Sequence, residues 1–213
     1  MPRHVGAGHV FGSPVAVPVP DLDRTDHLVI LGGNPYASNG SMCTAPDFPG
    51  RIEAIQERGG KVVVVDPRRS RTAEQADEWI AIRPGTDALL LAAMSNVVIA
   101  EGLADPGQHI AAHLAGFDEF CSAMTPFTPK AVEGATGVAA DTIRRLAIEA
   151  AVAPSASLYG RIGTTTQAFG TLASWLVDVI NVLIGDLDSP GGAMFTTPVS
   201  GSCWMPRGPG ARL

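Results

Sequence analysis

The sequence predicts an α/β protein with a parallel sheet of about four strands flanked by helices. Short apolar runs alternate along the chain with amphipathic segments of helical period, which is the pattern of an α/β fold. The run 62–65 consists of four consecutive valines, and such a run is typical of a strand that is buried on both faces of a parallel sheet. Right-handed crossovers, with a long helical stretch before the last strand, give the strand order 3-2-1-4.

The predicted strands are short apolar runs that end at glycine, proline or polar residues. They are 28–31, 62–65, 79–82 and 157–159. Helices are predicted from apolar spacing and from N-cap signals, namely Thr86, Asp105-Pro106 and Thr128-Pro129. They cover 51–58, 73–76, 86 to about 100, 141–151 and the stretch after Gly163 that ends at Ile184.

Composition divides the chain into three parts. Glycine and proline interrupt residues 1–20, which predicts an irregular arm, and residues 21–197 contain the predicted strands and helices of the α/β domain. Residues 198–213 are rich in proline and glycine, which predicts a disordered tail.

The apolar stretch 169–184 is short for a bilayer span of ~20 residues and contains Asp178 and Asn181. It therefore predicts a buried helix rather than a membrane insertion.

Charge and cysteine usage argue against several classes of protein. The 213 residues carry a net charge of −6, which argues against a nucleic-acid-binding protein. The cysteines are Cys43, Cys121 and Cys203, without a CxxC pair, so we expect no zinc or iron–sulfur site in this chain and a cytoplasmic location. His109 and His113 have metal-ligand spacing but no third ligand, so we expect a surface or core pair. Neither a P-loop nor a catalytic triad is visible, and no catalytic residue is predicted.

The strand order places a topological switch point between the first and the fourth strand. Ligands of open α/β sheets bind at such a point, in the crevice outside the carboxyl ends of the strands. The loops after Leu31, Val65 and Tyr159 should therefore form the site, with residues 82–87 nearby. This is the arrangement of a dinucleotide-binding-like fold.

Two of these loops are rich in glycine. Gly32-Gly33-Asn34-Pro35 follows the first strand, and its backbone amides with the Asn34 side chain could bond phosphate oxygens. An ordinary turn that closes a strand is the alternative. The turn 160–167 follows the fourth strand and contains Arg161 and Gly163. It could present amides, a guanidinium and hydroxyls to an anionic or heteroaromatic ligand, or it could be only a polar N-cap turn.

The other two loops carry charge. Asp66-Pro67-Arg68 ends the second strand, where Asp66 could accept hydrogen bonds from ribose hydroxyls and the arginines at 68, 69 and 71 could bind phosphates. The alternative is a solvated charge run whose arginines pair with nearby acids. Gly85-Thr86-Asp87 starts the long helix. Asp87 either favours the helix dipole or accepts two hydrogen bonds from N1–H and the 2-amino group of guanine.

Three segments together resemble the molybdopterin oxidoreductases, which include formate dehydrogenases, nitrate reductases and dimethyl sulfoxide reductases. They are LVILGGNPYASNGS, KVVVVDPRRSRTAEQADEWIAIRPGTDALLLAAM and LYGRIGTTTQAFGTLASWLVDVINVLIGDLDSPGGAMF. The resemblance covers about residues 10–198. It implies a dinucleotide-binding domain that holds one guanine dinucleotide arm of a bis(molybdopterin guanine dinucleotide) molybdenum cofactor, Mo-bis-MGD.

The resemblance also implies a role for each loop. Gly33–Pro35 would line the cofactor, and Asp66–Arg68 would lie by the guanosine and the phosphates. Gly85–Asp87 would contact the guanine, and Arg161 with Gly163 would face the pterin. These are the same loops that the strand order selects.

The chain departs from the family pattern in what it lacks. The cysteine motif for an iron–sulfur cluster, the segment with the molybdenum ligand and the C-terminal barrel-like domain have no counterpart. We therefore expect an incomplete chain without activity alone, whose partners are the remaining domains or subunits of a molybdoenzyme. Exposed apolar surface would favour self-association. The alternative is a stand-alone, non-enzymatic module that binds NAD or a guanine nucleotide.

Overall fold

The computed structural model describes residues 2–43 and 45–196, so the predicted tail over 198–213 lies outside the described residues. The strands are β1 (Val19–Pro20), β2 (His27–Leu31), β3 (Lys61–Val65), β4 (Glu78–Ile80), β5 (Ala156–Gly160) and β6 (Ala193–Met194). The helices are α1 (Pro2–Phe11), α2 (Pro35–Ser38), α3 (Phe48–Glu57), α4 (Arg71–Gln75), α5 (Asp87–Ala100), α6 (Gln108–Ala111), α7 (Phe117–Met124), α8 (Pro129–Thr136), α9 (Ala140–Val152), α10 (Ile162–Thr165) and α11 (Gly170–Leu183).

Strands β2 to β5 form a sheet in which every pairing is parallel, and their order across it is β4-β3-β2-β5. The prediction of an α/β fold on a four-stranded parallel sheet is confirmed. In the register of the sheet, Leu31 at the end of β2 lies beside Val65 of β3 and Gly160 of β5. The carboxyl ends of these strands therefore lie at one edge of the sheet.

Both faces of the sheet are buried. Successive side chains of a strand point to opposite faces, so alternate residues of one strand pack in different cores. Val63 and Val65 pack in a core cluster with α5, α9 and α11. Val62 and Val64 pack in a second cluster on the other face, which includes Phe48 of α3. The run of valines is thus needed to fill two cores at once.

Residues 2–11 form the helix α1, so the prediction of an irregular arm is wrong for this part of the chain. The helix packs closely on α11, because a Cβ at Gly6 would lie 3.2 Å from the backbone nitrogen of Trp175. Arg3 donates two hydrogen bonds to the carboxylate of Asp178, at 2.6 and 2.7 Å. Contacts with a distant segment therefore support a helix that its own glycines disfavour.

Several predicted boundaries differ from the structure. The helix expected after Asp105-Pro106 begins only at Gln108, because the Asp105 carboxylate accepts a hydrogen bond from the N–H of Gly107 at 3.1 Å and closes a turn there. The single helix expected after Gly163 is two helices, α10 and α11, separated at residues 166–169. Thr128 is the N-cap of α8, as predicted, and its hydroxyl accepts from the N–H of Ala131.

The predicted burial of α11 is confirmed. Asp178 and Asn181 are both fully buried on this helix. The Asn181 side chain accepts from the N–H of Leu158 at 2.9 Å and donates to its carbonyl at 3.0 Å, which ties α11 to β5. In the part of the chain that the structure describes, no helix combines the length and apolarity needed to cross a bilayer.

A two-stranded antiparallel ribbon lies outside the main sheet. It pairs Val19 with Met194 and Pro20 with Ala193. The ribbon joins β1, near the start of the described residues, to β6, near their end.

Candidate functional site

The candidate site is at the carboxyl edge of the parallel sheet, where the loops after β2, β3, β4 and β5 leave their strands. Two of these loops are in direct backbone contact. The N–H of Arg161 donates to the carbonyl of Leu31 at 2.9 Å, and the N–H of Gly163 donates to the carbonyl of Gly32 at 3.0 Å. The loops after β2 and β5 therefore form one continuous surface.

Gly32 permits this close approach. Its φ is +58°, in the left-handed region that favours glycine. A Cβ at this position would lie 2.6 Å from the backbone nitrogen of Thr164 and 2.8 Å from the Cα of Gly163. Residues with side chains would force the two loops apart, so the close contact depends on glycine.

The next two residues of the β2 loop, Gly33 and Asn34, each contact a different part of the chain. A Cβ on Gly33 would lie 3.1 Å from the Cγ of Arg161, so this glycine packs directly on the arginine stem. The Asn34 Oδ1 accepts a hydrogen bond from the Thr72 hydroxyl at 2.8 Å, and the same hydroxyl oxygen accepts from the N–H of Tyr36 at 3.1 Å. Sequence reasoning missed Thr72, because nothing in a helix 38 positions away indicates this contact.

The turn between β2 and α2 leaves hydrogen-bond donors unused. Within residues 2–43 and 45–196, the N–H groups of Gly33 and Asn34 donate to no protein acceptor. Pro35 has no N–H and starts α2. The guanidinium of Arg161 lies 5.9 Å from the centre of the Tyr159 ring, which places a positive charge at the same edge of the sheet. Unused amides beside a cation suit an anionic ligand.

Asp87 is a buried acid that is linked to the β5 loop. It lies in the first turn of α5 with 6% of its surface exposed. Its Oδ2 accepts a hydrogen bond from the Nε2 of Gln167 at 2.7 Å, and the same Nε2 donates to the carbonyl of Thr164 at 2.9 Å. Burial raises the pKa of the Asp87 carboxyl, and the hydrogen bond from Gln167 opposes that rise.

The loop after β3 forms a compact turn around Asp66. Its Oδ1 accepts from the N–H of Arg68 at 2.8 Å, and its carbonyl accepts from the indole of Trp79 at 2.9 Å. Burial raises the pKa of the Asp66 carboxyl, and the nearby charge of Asp87 raises it further. Pro67 and Arg68, the next two residues of this loop, are exposed.

The acidic residues that follow this loop form ion pairs and hydrogen bonds away from the carboxyl edge of the sheet. Glu78 pairs with Lys61 at 3.0 Å and also with Arg145. Asp77 accepts a hydrogen bond from the N–H of Val62 at 2.7 Å. These contacts lie at the start of β3 and β4, away from the carboxyl edge, so they do not neutralise the arginines of residues 68–71.

Some of the predicted site residues lie together where the β2 and β5 loops meet, and others lie on an exposed rim around them. Gly33, Arg161 and Gly163 are in contact around the β2 and β5 loops, and Asp87 joins them through Gln167. On the rim, Gly85 is exposed, and the Thr86 hydroxyl donates to the carbonyl of Arg83 at 2.7 Å rather than capping α5. Sequence reasoning placed Gln167 in a polar turn but did not assign it a role.

The histidine pair and Cys43, to which the sequence assigns no binding role, lie outside this site. His109 is in α6, and its Nε2 is 2.8 Å from the carbonyl oxygen of Leu187, whereas His113 lies beyond the end of that helix. Cys43 is buried, and burial raises the pKa of its thiol. Across the described residues, His, Cys, Asp and Glu side chains form no group of three or more that could hold a metal ion.

Residues 3–199 match the family described as Molybdopterin oxidoreductase. The chain belongs to this family. It is 33% identical over 170 residues to formate dehydrogenase H of Escherichia coli (strain K12), a match that covers 80% of this chain and 23% of the relative. It is 35% identical over 192 residues to the thiosulfate reductase molybdopterin-containing subunit PhsA of Salmonella typhimurium, covering 89% of this chain and 24% of the relative.

A solved structure supports the same relationship. Acetylene hydratase from Pelobacter acetylenicus superposes on this molybdopterin oxidoreductase chain with a TM-score of 0.73 and 26% sequence identity. The match covers 86% of this chain and 24% of the hydratase. The chain therefore spans about a quarter of the length of the relatives that it matches.

Proposed function

We propose that this molybdopterin oxidoreductase chain is the cofactor-binding part of a molybdoenzyme and holds one guanine dinucleotide arm of Mo-bis-MGD. Membership of the family implies a cofactor of molybdenum and pterin. The observation that carries the finer proposal is the buried carboxylate of Asp87, held beside glycine-lined backbone at the carboxyl edge of a parallel sheet. This edge is where a dinucleotide-binding-like fold receives its ligand.

The residues present fit the guanine end of such a cofactor. A carboxylate can accept two hydrogen bonds, and guanine offers a matching pair of donors in N1–H and the 2-amino group. Asp87 supplies the carboxylate, and Gly85, two positions before it, is exposed and has no side chain. Adenine has no such pair of donors, so this contact would select guanine. Asp66, on the neighbouring loop, would accept hydrogen bonds from ribose hydroxyls.

The residues also fit the anionic part of the dinucleotide. The unused N–H groups of Gly33 and Asn34 and the guanidinium of Arg161 are donors that match phosphate oxygens. Arg68 is exposed on the next loop and would add a positive charge. In this proposal the molybdenum of the bound cofactor supplies the redox chemistry, while the residues of this chain bind and orient it.

An apolar groove supports the proposed partners, which are other domains or subunits of the molybdoenzyme. The groove has a volume of about 650 Å³ and is lined by His9 of α1 and by Phe169, Leu172 and Trp175 at the start of α11. Phe169 is 61% exposed and Leu172 is 45% exposed. Exposed apolar side chains grouped in this way are typical of an interaction surface, and the longer relatives contain the polypeptide that could cover it.

The test compares nucleotides on the isolated chain. NMR titration detects weak binding, and it should show a preference for GDP over ADP and over NAD. Asp87→Asn should weaken GDP binding roughly 10- to 100-fold, because it removes the charge from a hydrogen bond worth ~1.5–3 kcal/mol. Asp118→Asn is the matched control, since Asp118 is an exposed acid in the first turn of α7.

Three results would refute the proposal. They are equal affinity for GDP and ADP, no chemical-shift change at millimolar GDP, and an Asp87→Asn variant that binds GDP as well as the control does. Tighter binding of NAD would instead favour a stand-alone module for another dinucleotide.

A further inference from the structure

A single side chain links the start of α5 to the segment that follows β5. The Nε2 of Gln167 donates to the Oδ2 of Asp87, 80 positions earlier in the chain, and to the carbonyl of Thr164. Both partners are acceptors without a proton to give, so only the nitrogen of the amide can face them. The geometry therefore fixes the orientation of the Gln167 amide, because the flipped amide would set oxygen against oxygen.

The other end of the same amide is left without a partner. The Oε1 of Gln167 is buried and accepts no hydrogen bond from any residue that the structure describes. It lies 3.7 Å from the place that a Cβ on Gly85 would occupy. Buried polar atoms nearly always have partners, so an unpaired oxygen at this point counts against a purely structural role. The part of this amide that makes contacts is its nitrogen, which bonds Asp87.

We propose that Gln167 is a positioning residue. By tying the start of α5 to the β5 loop, it holds the Asp87 carboxylate ionised and oriented for guanine recognition. This inference rests on the proposed function. Each carboxylate oxygen has two lone pairs, so the Oδ2 of Asp87 can accept from Gln167 and from a ligand together. A donor on one oxygen fixes the plane of the carboxylate, and with it the direction in which the other lone pairs point.

The hydrogen bond also controls protonation. Burial disfavours the ionised form of Asp87, whereas the hydrogen bond from Gln167 favours it most, and hydrogen bonds from its own backbone and from Thr164 favour it less. Without Gln167, Asp87 should hold its proton to a higher pH. A protonated Asp87 would present a donor in place of an acceptor to N1–H of guanine, and binding would then weaken as the pH falls.

The experiment uses the full chain with two substitutions at one position. Gln167→Met keeps the approximate shape and removes the donor, and Gln167→Glu keeps the length and replaces the donor with an acceptor. Gln75→Met is the matched control, because Gln75 is exposed at the end of α4. The pKa of Asp87 is followed by ¹³C NMR of its carboxyl carbon, and the affinities for GDP and ADP are measured by titration from pH 5 to pH 8.

We expect both variants at position 167 to raise the pKa of Asp87, to lower the preference for GDP over ADP at least tenfold, and to move the pH dependence of GDP binding upward. The control should change none of these. If either folded variant keeps the wild-type pKa of Asp87 and the wild-type guanine preference, the inference is overturned. Equal binding of GDP and ADP by the unsubstituted chain would refute the proposed function itself, so the two failures are distinguishable.

Discussion

Replacing Gly32 with alanine tests the close contact between the loops after β2 and β5. The φ of Gly32 is +58°, and a residue with a Cβ costs roughly 1–2 kcal/mol in this left-handed region. The new Cβ would also lie 2.6 Å from the nitrogen of Thr164 and 2.8 Å from the carbonyl carbon of Gly163. These are backbone atoms, so a whole loop must move, at the roughly 1–3 kcal/mol typical of overpacking. We expect Gly32→Ala to lower the free energy of unfolding by about 2–5 kcal/mol.

Urea denaturation followed by circular dichroism measures this loss, and Gly59→Ala is the control. Gly59 has a φ of +86°, but no atom lies within 4 Å of the place its Cβ would take. Substituting Gly59 should lower the free energy of unfolding only by the cost of the left-handed backbone conformation, about 1–2 kcal/mol. The steric argument is refuted if the two variants differ by less than about 0.5 kcal/mol, the ordinary effect of a surface substitution.

Two further predictions concern charged groups away from the loops. Burial raises the pKa of Asp186 to about 6. The folded protein thus holds this proton more tightly than the unfolded chain, and the free energy of unfolding should fall as the pH rises from about 4 to about 6. Urea denaturation of Asp186→Asn across this range should show a flatter dependence, and an unchanged slope would contradict the assignment. Arg3→Met would leave the carboxylate of Asp178 buried without a cation, at a cost of about 3 kcal/mol. The same assay should show that Asp178→Asn recovers part of this loss in the double variant, whereas simple addition of the two effects would contradict the ion pair.

The sheet could be predicted because its signal is local. The four valines of 62–65 show burial on both faces without any knowledge of their neighbours. Helix α1 could not be predicted, since Gly6 and Gly8 disfavour a helix and the support comes from Arg3 binding Asp178, 175 positions away. In such cases tertiary contacts outweigh the low helix propensity of the local sequence.

The loops that form the site could be predicted from the sequence, but the side-chain contacts within it could not. The loops after parallel strands must lie at one edge of the sheet, so the places of Asn34, Asp87 and Arg161 could be expected. The partners Thr72 and Gln167 could not, because 38 and 80 positions separate them from the side chains they hold. The binding of a guanine dinucleotide by these residues stays a prediction.

The ribbon of β1 and β6 has a consequence for the order in which this fold can form. Val19 lies opposite Met194, so the ribbon pairs two segments that are far apart in the sequence. Pairing across so long a stretch of chain carries a loop-closure cost, which falls once the sheet between the two segments is in place. We therefore expect the ribbon to close after the parallel sheet has assembled.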